Sequence, residues 1–395
     1  MSRSILMFCP QFRPLVGGAE RQAEKLAVAL AAMGYQVRIV TPRVDVHSPG
    51  IEHVDGVIIE RFPLINLAQR LPLSGVAVPN IPYIIWQVSR AVGRRLDGVD
   101  VLHCHLGSLQ TAAAALAGRR AGVAVICKAA TAGDSSDLGD IRRTGSSGRL
   151  VAWLLQKSVE TWVATTAAVE SALIRAGVNR INIVRIPNGV ELEKKARTVH
   201  VRRPVASFLY LGRLSNQAER DMPTLIDAFD RVAKDYSTAE LAIVGGGELL
   251  DETRELAASC AARDRIQVPG WDEPEKWLSW ADCFVLPSRR EGLSNALLEA
   301  MAAGLPCIAN DIPPNREVLD DGNAGVLVPV GNCSALASAM RRMIDDHESA
   351  SLMSCAAAER VRRCYSIAAV ASRYARLYDS VARDAPAASL QKSAS

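Results

Sequence analysis

The sequence predicts an α/β protein built from two doubly wound, Rossmann-like domains. Short apolar runs rich in β-branched residues alternate with amphipathic helical patterns, as is typical of parallel sheets. The alternation breaks near residues 186–204 and then restarts. A chain of 395 residues with 49% hydrophobic content is long enough to bury two cores. We therefore expect an N-terminal domain over residues 1–188 and a C-terminal domain over residues 200–365.

The first domain is predicted to contain seven strands. A strong amphipathic helix over residues 20–33, closed by Gly34, follows the first strand. The strands are expected at residues 5–9, 37–41, 57–61, 99–103, 124–127, 161–164 and 181–185.

The second domain repeats the pattern with six strands and helices over residues 223–233 and 249–262. Its strands are expected at residues 206–211, 241–244, 266–268, 283–286, 306–309 and 325–328. The final helix, residues 366–383, is a candidate to cross back onto the first domain, and residues 384–395 have the composition of a disordered tail. Ligands of such sheets bind beyond the carboxyl ends of the strands, so the expected site is a cleft across which the two domains face each other.

Charge and cysteine content narrow the class of protein. Residues 1–185 carry 21 Lys and Arg against 13 Asp and Glu, a net charge of +8, whereas residues 186–395 carry 25 against 29, a net charge of −4. The basic first half is therefore the part expected to meet an anionic surface or substrate. Nine scattered cysteines without a C-x-x-C pair indicate reduced thiols in a cytoplasmic protein. The sequence shows no signal peptide and no apolar stretch of about 20 residues, so we expect a soluble chain. We also expect no nucleic-acid partner.

The segment from Glu291 to Glu299 is the most informative motif. It places one carboxylate on a loop after a buried strand and a second inside a helix that begins near Ser294 or Asn295. A helix N-terminus at a strand end suits a phosphate, and carboxylates accept hydrogen bonds from hydroxyls. The pattern therefore predicts a ligand that has both a diphosphate and sugar hydroxyls, a nucleotide sugar.

Several motifs in this order resemble the family 4 glycosyltransferases of the GT-B fold, over nearly the whole chain. They are Gly17-Gly-Ala-Glu20, Ile186-Pro-Asn-Gly-Val190, Leu211-Gly-Arg-Leu214, Val244-Gly-Gly-Gly-Glu248, Pro269-Gly-Trp271 and the two-glutamate segment with its following helix. Each motif is weak alone, and their order and spacing make the resemblance specific.

The resemblance implies roles for individual residues. Arg213 would bind the diphosphate, and Arg220 would take the place of the lysine usual in the family, after a loop that is two residues longer. Glu299 would accept from the ribose hydroxyls and Glu291 from a hydroxyl of the donor sugar. Backbone N–H groups of Gly292, Leu293, Ser294 and Asn295 would contact phosphate or sugar, and Gly17 and Gly18 would let the first-domain backbone approach the phosphate.

One departure concerns the acceptor side. Many family members carry a histidine at the end of the fifth strand, and residues 124–134 contain none. Lys128 and Asp134 are the polar residues nearest that position, and nothing in the sequence decides between them or requires either. His105 is a further candidate, with strand-end packing or acceptor contact preferred over a metal role for His103-Cys-His105.

The resemblance also implies a retaining reaction without a metal or other cofactor. The donor would be a UDP-sugar first and a GDP-sugar next, and the acceptor a glycan or lipid-linked glycan of surface polysaccharide synthesis. Apolar residues mixed with arginines between residues 64 and 96 suit peripheral contact with an anionic membrane, at the inner face of the cytoplasmic membrane; an ordinary helix with a solvated basic face explains them as well. A sugar-nucleotide epimerase and a non-catalytic sugar-nucleotide-binding scaffold remain as alternatives.

Overall fold

The structure is a computed structural model that describes residues 3–14, 17–45, 47–66, 77–131, 137–192, 206–215 and 217–384. The chain divides into two compact units. Unit 1 comprises Met1–Gly189 with Val370–Ser395, and unit 2 comprises Val190–Ala369. Each unit is an α/β domain with its own sheet, which confirms the predicted fold class.

Unit 1 contains an eight-stranded sheet in the order β3-β4-β2-β1-β5-β6-β7-β8, parallel except for β3. The strands are β1 Ser4–Phe8, β2 Gln36–Arg43, β3 Ile51–Val54, β4 Val57–Pro63, β5 Val101–His105, β6 Ala124–Ala129, β7 Thr161–Ala164 and β8 Ile183–Arg185. The helices are α1 Gly18–Ala32, α2 Ala77–Gly93, α3 Leu109–Ala121, α4 Asp137–Arg143, α5 Ser146–Ser158 and α6 Ala167–Arg175, with a 3₁₀ turn at Arg180–Asn182.

Alternation along the central strand β1 builds the two cores of unit 1. Leu6 and Phe8 belong to the cluster that includes residues of α2, α3 and α5. Ile5 and Met7 belong to the cluster on the opposite face, with residues of α1 and of the C-terminal helix that follows residue 366. Both faces of the sheet are therefore covered, as parallel sheets require.

Several strand bounds of unit 1 differ from the prediction by up to two residues, and one strand was not predicted. The strand expected at residues 99–103 is Val101–His105, and the Asp100 side chain just before it accepts from the Ser4 backbone N–H at 2.8 Å. The antiparallel strand β3 was not predicted. It pairs with β4 through a tight turn in which Asp55 and Gly56 have φ of 47° and 81°, and this Asp-Gly pair is the sequence signal for the hairpin.

Unit 2 contains a six-stranded parallel sheet in the order β11-β10-β9-β12-β13-β14. The strands are β9 Ser207–Leu211, β10 Glu240–Val244, β11 Ile266–Gly270, β12 Cys283–Leu286, β13 Cys307–Asn310 and β14 Val326–Val328. The helices are α7 Gln217–Arg220, α8 Met222–Asp235, α9 Leu250–Ser259, α10 Pro274–Trp280, α11 Asn295–Ala302, α12 Pro313–Val318, α13 Cys333–Asp345, α14 His347–Arg360 and α15 Ile367–Asp384, which continues into unit 1. Short 3₁₀ turns lie at Arg263–Arg265 and Asp320–Gly322, and a π-helical turn at Val361–Tyr365.

The strand orders place one topological switch point in each unit. In unit 1 the order reverses between β1 and β5, and in unit 2 it reverses between β9 and β12. Ligands of open α/β sheets bind outside the carboxyl ends of the strands at such a point. The residues that follow β1, β5, β9 and β12 are therefore the expected ligand-binding residues.

Candidate functional site

Glu291 lies in the loop between β12 and α11, four residues before the first residue of the helix. Ser294 is the N-cap of this helix, because its side-chain oxygen accepts from the Leu297 N–H at 3.3 Å. Leu293 and Ser294 are buried, while Gly292 and Asn295 are partly exposed. The N-terminus of α11 therefore lies at the switch point of unit 2, with its positive dipole end toward the carboxyl edge of the sheet.

Arg220 and Glu291 form an ion pair across this edge. Arg220 Nη1 donates to Glu291 Oε1, and it also lies 3.2 Å from Ser288 Oγ. Both side chains are mostly buried, 20% and 12% exposed. Burial alone would lower the pKa of Arg220, but Glu291, with smaller contributions from Tyr210 and Glu219, raises the pKa overall. Arg220 Nε is buried and has no hydrogen-bond partner among the described residues, so this nitrogen remains able to donate to a ligand.

A second set of contacts fixes the position of this pair. The Arg289 N–H donates to the Glu219 carbonyl at 2.8 Å, and Arg289 Nη2 lies 2.9 Å from Asp221 Oδ2. Asp221 is 4% exposed and has a φ of 48°, and it is the N-cap position of α8. These contacts tie the loop after β9 to the loop after β12. Sequence reasoning missed Asp221 and Ser288, since neither belongs to a motif.

The glycines after β10 pack against the loop that carries Arg213. The Leu214 N–H donates to the Gly246 carbonyl at 2.9 Å, and Arg213 itself is exposed. Gly245 has a φ of 154°, and a Cβ there would lie 1.8 Å from the Gly212 carbonyl oxygen. Only glycine fits this position. The backbone of the Arg213 loop is therefore held by its neighbours while the guanidinium points to solvent.

Tyr210 is a further residue that the sequence did not single out. It is fully buried on β9, and its hydroxyl has no hydrogen-bond partner among the described residues. Burial is the main reason why the pKa of Tyr210 is raised. Two smaller effects oppose each other, since Arg220 lowers this pKa and Glu291 raises it. An aromatic residue inside a strand gives no signal that distinguishes this position from an ordinary core residue.

Glu299 lies on α11 one turn after Asn295, so the two residues share a face of the helix. It is partly exposed, and the apolar neighbours Leu298 and Ala300 are buried. The structure thus brings Arg220 and Glu291 into contact and places Glu299 on the adjacent helix of the same unit.

In unit 1 the glycine motif begins α1. Gly17 is the N-cap position, its N–H donates to Glu20 Oε2 at 2.9 Å, and Gly18 is the first helical residue. Both glycines are exposed, whereas Glu20 is buried. The acidic side chain therefore stabilises the helix start, and the two glycines leave the backbone accessible.

The switch point of unit 1 contains a buried polar cluster on β5 and β6. The rings of His103 and His105 lie 4.3 Å apart, and His103 Nδ1 is 2.8 Å from the Tyr378 hydroxyl. Lys128 is the register partner of His105 and is 5% exposed. Burial, with a smaller contribution from Lys128, lowers the pKa of His103 to about 3, and burial lowers the pKa of Lys128 to about 8. The pKa of His105 is lowered well below its ordinary value, first by burial and then by His103 and Lys128.

Of the two residues considered in place of the family histidine, the structure describes one. Lys128 lies at the carboxyl end of β6, while Asp134 lies outside the described residues. Over the described ranges, no group of three or more His, Cys, Asp or Glu side chains is arranged to hold a metal ion.

Comparison with known proteins assigns each half of the chain to the same class. A family model described as a glycosyl transferase 4-like domain matches residues 17–189. A second, described as glycosyl transferases group 1, matches residues 206–346.

One relative matches nearly the whole chain, and another matches half of it. A phosphatidyl-myo-inositol mannosyltransferase of Mycobacterium leprae is 29% identical over 397 residues, covering 95% of this chain and 96% of the relative. The corresponding enzyme of Mycolicibacterium smegmatis is 33% identical over 204 residues, 50% of this chain and 52% of the relative.

Solved structures share the fold at lower identity. The sucrose-phosphate synthase of Thermosynechococcus elongatus superposes with a TM-score of 0.75 at 20% identity, covering 97% of this chain and all of the other. Anabaena HepE in complex with UDP-glucose gives a TM-score of 0.72 at 17% identity, covering 95% of this chain and 99% of the other.

Proposed function

The chain belongs to the family 4 glycosyltransferases of the GT-B fold, and we propose that it transfers a sugar from a nucleoside-diphosphate sugar to a hydroxyl of a glycan or lipid-linked acceptor. The observation that carries this proposal is the constellation at the switch point of unit 2. Arg220 and the N-terminus of α11 supply donors for a diphosphate, and Glu291 and Glu299 supply acceptors for sugar hydroxyls.

A UDP-sugar is the first donor we propose, and a GDP-sugar is the second. HepE, which shares the fold, was solved with UDP-glucose, and the M. leprae relative is named for transfer of mannose to a phosphatidylinositol. Surface polysaccharide synthesis, with a glycan or lipid-linked acceptor, is the context that we propose.

We propose a retaining, metal-independent reaction. The acceptor oxygen bonds to the anomeric carbon on the face from which the diphosphate leaves, and a leaving phosphate oxygen takes the hydroxyl proton. Arg213, Arg220 and the helix N-terminus stabilise the negative charge of the leaving group. The ion pair with Glu291 holds one nitrogen of Arg220, while its buried Nε can donate to a phosphate oxygen.

Nucleotide binding is the first test of the donor site. UDP, GDP and ADP, alone and as sugar conjugates, are titrated into the wild type, Glu299→Ala and the control Glu255→Ala, which removes an exposed carboxylate from α9. We expect one nucleotide to be preferred and its Kd to rise about 30-fold or more in Glu299→Ala, because a pair of hydrogen bonds to a charged group is lost. Glu255→Ala should bind as the wild type does. Absence of binding by every nucleotide would sink the donor-site proposal.

Turnover separates the proposed function from its rivals. An epimerase consumes the donor without an acceptor, and a scaffold binds nucleotide sugar without turnover. NMR of the product tests the stereochemistry, and an inverted anomeric centre would contradict retention. Activity that a chelator abolishes and a divalent ion restores would contradict metal independence.

We further propose peripheral contact of unit 1 with an anionic membrane, at the inner face of the cytoplasmic membrane. Trp86 on α2 is 57% exposed with Arg90 lying 5.7 Å above its ring, and Leu150 and Trp153 on α5 are 54% and 53% exposed. Both helices pack against α3, so these apolar side chains lie on one side of the sheet. Co-sedimentation with liposomes should increase with anionic lipid content and fall in Trp86→Ser/Trp153→Ser. Binding that does not depend on lipid charge would contradict this part of the proposal.

No helix within the described residues is both long enough and apolar enough to cross a membrane.

A further inference from the structure

Among the described residues of unit 1, the cationic side chains of Arg61 and Lys128 are more than nine-tenths buried, and they differ in what surrounds them. Arg61 is 6% exposed, and its Nη2 lies 2.6 Å from Glu52 Oε2. Lys128 is 5% exposed, and among the described residues no carboxylate lies within ion-pair distance of its amine. Burying an ammonium without a counter-charge is unfavourable, and the described residues supply a counter-charge for Arg61 but not for Lys128.

The groups around Lys128 do not supply a negative charge. Lys128 and His105 are register partners on β5 and β6, so their side chains point to the same face of the sheet, and His103 shares this face by strand alternation. The lowered pKa values of both histidines keep them neutral at pH 7. Cys9, which follows β1 at the same edge, has a raised pKa because of burial and is also neutral.

A second polar atom in this cluster is unsatisfied. His105 Nε2 is buried and has no hydrogen-bond partner within the described part of the chain. A neutral imidazole can donate from this nitrogen. Lys128 and His105 therefore offer an ammonium and a neutral N–H on one face, next to the switch point between β1 and β5.

We infer that Lys128 and His105 form an oxyanion site in unit 1 that binds a phosphate group of a substrate. The lysine supplies the charge, and His105 supplies a hydrogen bond from Nε2. Two substrates of the proposed transferase could supply the phosphate, a phosphate on the acceptor or the diphosphate of the donor. The identity of the substrate rests on the proposed function, while the anion site itself rests on the buried cluster.

The test measures binding of small phosphates to the full-length protein. Inorganic phosphate and glycerol 3-phosphate are titrated calorimetrically at pH 7, with glycerol as the uncharged control. The variants are Lys128→Met, Lys128→Arg and Lys157→Met, the last removing an exposed charge from α5 of the same unit. We expect the Kd for glycerol 3-phosphate to rise at least 10-fold in Lys128→Met, with partial recovery in Lys128→Arg and no change in Lys157→Met. Equal affinity in the wild type and a folded Lys128→Met would overturn the inference.

A UDP titration of the same variants distinguishes the two sources. If the acceptor carries the phosphate, Lys128→Met keeps wild-type affinity for UDP and loses affinity for glycerol 3-phosphate. If the diphosphate of the donor is the ligand, both affinities fall. Should the wild type bind no nucleotide, the proposed donor chemistry fails, while a Lys128-dependent Kd for glycerol 3-phosphate would still support the anion site.

Discussion

The switch points of the two units differ in how the protein pairs its own buried charges. In unit 2, Arg220 is paired with Glu291, and Arg289 is paired with Asp221. In unit 1, Lys128 has no carboxylate partner within the described residues, and His105 Nε2 has no hydrogen-bond partner there. The charged side chains of the unit 2 site are therefore paired with each other, whereas the described residues of unit 1 leave the Lys128 charge uncompensated, and a ligand can neutralise it.

The largest expected effect tests the rigidity of unit 2. Gly245→Ala places a Cβ 1.8 Å from the Gly212 carbonyl at a φ of 154°, so we expect a loss of about 3 kcal/mol in the free energy of unfolding. Gly246→Ala is the matched control, because its Cβ would meet only the Trp271 side chain at 3.6 Å. Denaturant unfolding measures both. Equal stability of the two variants would show that the Arg213 loop is not held by this packing.

The next effect concerns the uncompensated charge of unit 1. Burial lowers the pKa of Lys128 from 10.5 to about 8 in the folded state, so the unfolded chain binds more protons between these values. Below about pH 8 the protonated, buried Lys128 amine therefore lowers the free energy of unfolding. This loss decreases as the pH rises from about 8 toward 10.5. Lys128→Met should be more stable than the wild type at pH 7 by about 2 kcal/mol, and the difference should shrink across this window.

Lys157→Met is the control for this pH series, since its exposed amine should leave the stability difference near zero throughout. Cys9 affects the pKa of Lys128, and Lys128 in turn lowers the pKa values of Cys9, His103 and His105. A stability difference that stays constant from pH 7 to 10.5 would mean that Lys128 is not a buried cation.

The smallest effect separates two tyrosines of α15. Both Tyr374 and Tyr378 are fully buried, but only Tyr378 has a hydroxyl partner among the described residues, His103 Nδ1 at 2.8 Å. Tyr378→Phe should lower the free energy of unfolding by about 1 kcal/mol, while Tyr374→Phe should leave it unchanged or raise it slightly. Thermal unfolding of the two variants measures the difference. An equal loss in both would indicate that Tyr374 also has a partner.

Much of the fold was predictable, because hydrophobic periodicity fixes where strands and helices occur. Strands β7 and β12 lie at their predicted bounds, and Ser294 is one of the two predicted N-caps of α11. The strand containing His105 was placed two residues early, since apolar character alone does not show where the pairing of β1 with β5 begins.

The candidate site was predictable only in part. Glu291 and Arg220 were selected by motif, but their direct contact depends on two loops that are 71 residues apart in sequence. The burial of Lys128, and the lack of a carboxylate near it among the described residues, depend on neighbouring strands of the sheet. No sequence pattern records such a long-range property. The role of every predicted site residue toward a ligand remains a prediction, including those of Arg220 and Glu291.

Because of helix α15, unit 1 is built from two segments of the chain that are synthesised at different times. Tyr374 and Tyr378 complete the core that contains Ile5 and Met7, so the first and last parts of the chain share one core. During translation, the N-terminal residues leave the ribosome long before residue 370 is made. All of unit 2 is synthesised between these two segments of unit 1. Unit 2 can therefore complete its own core first, while the sheet face of unit 1 that contains Ile5 and Met7 is covered by α1 but not yet by helix α15.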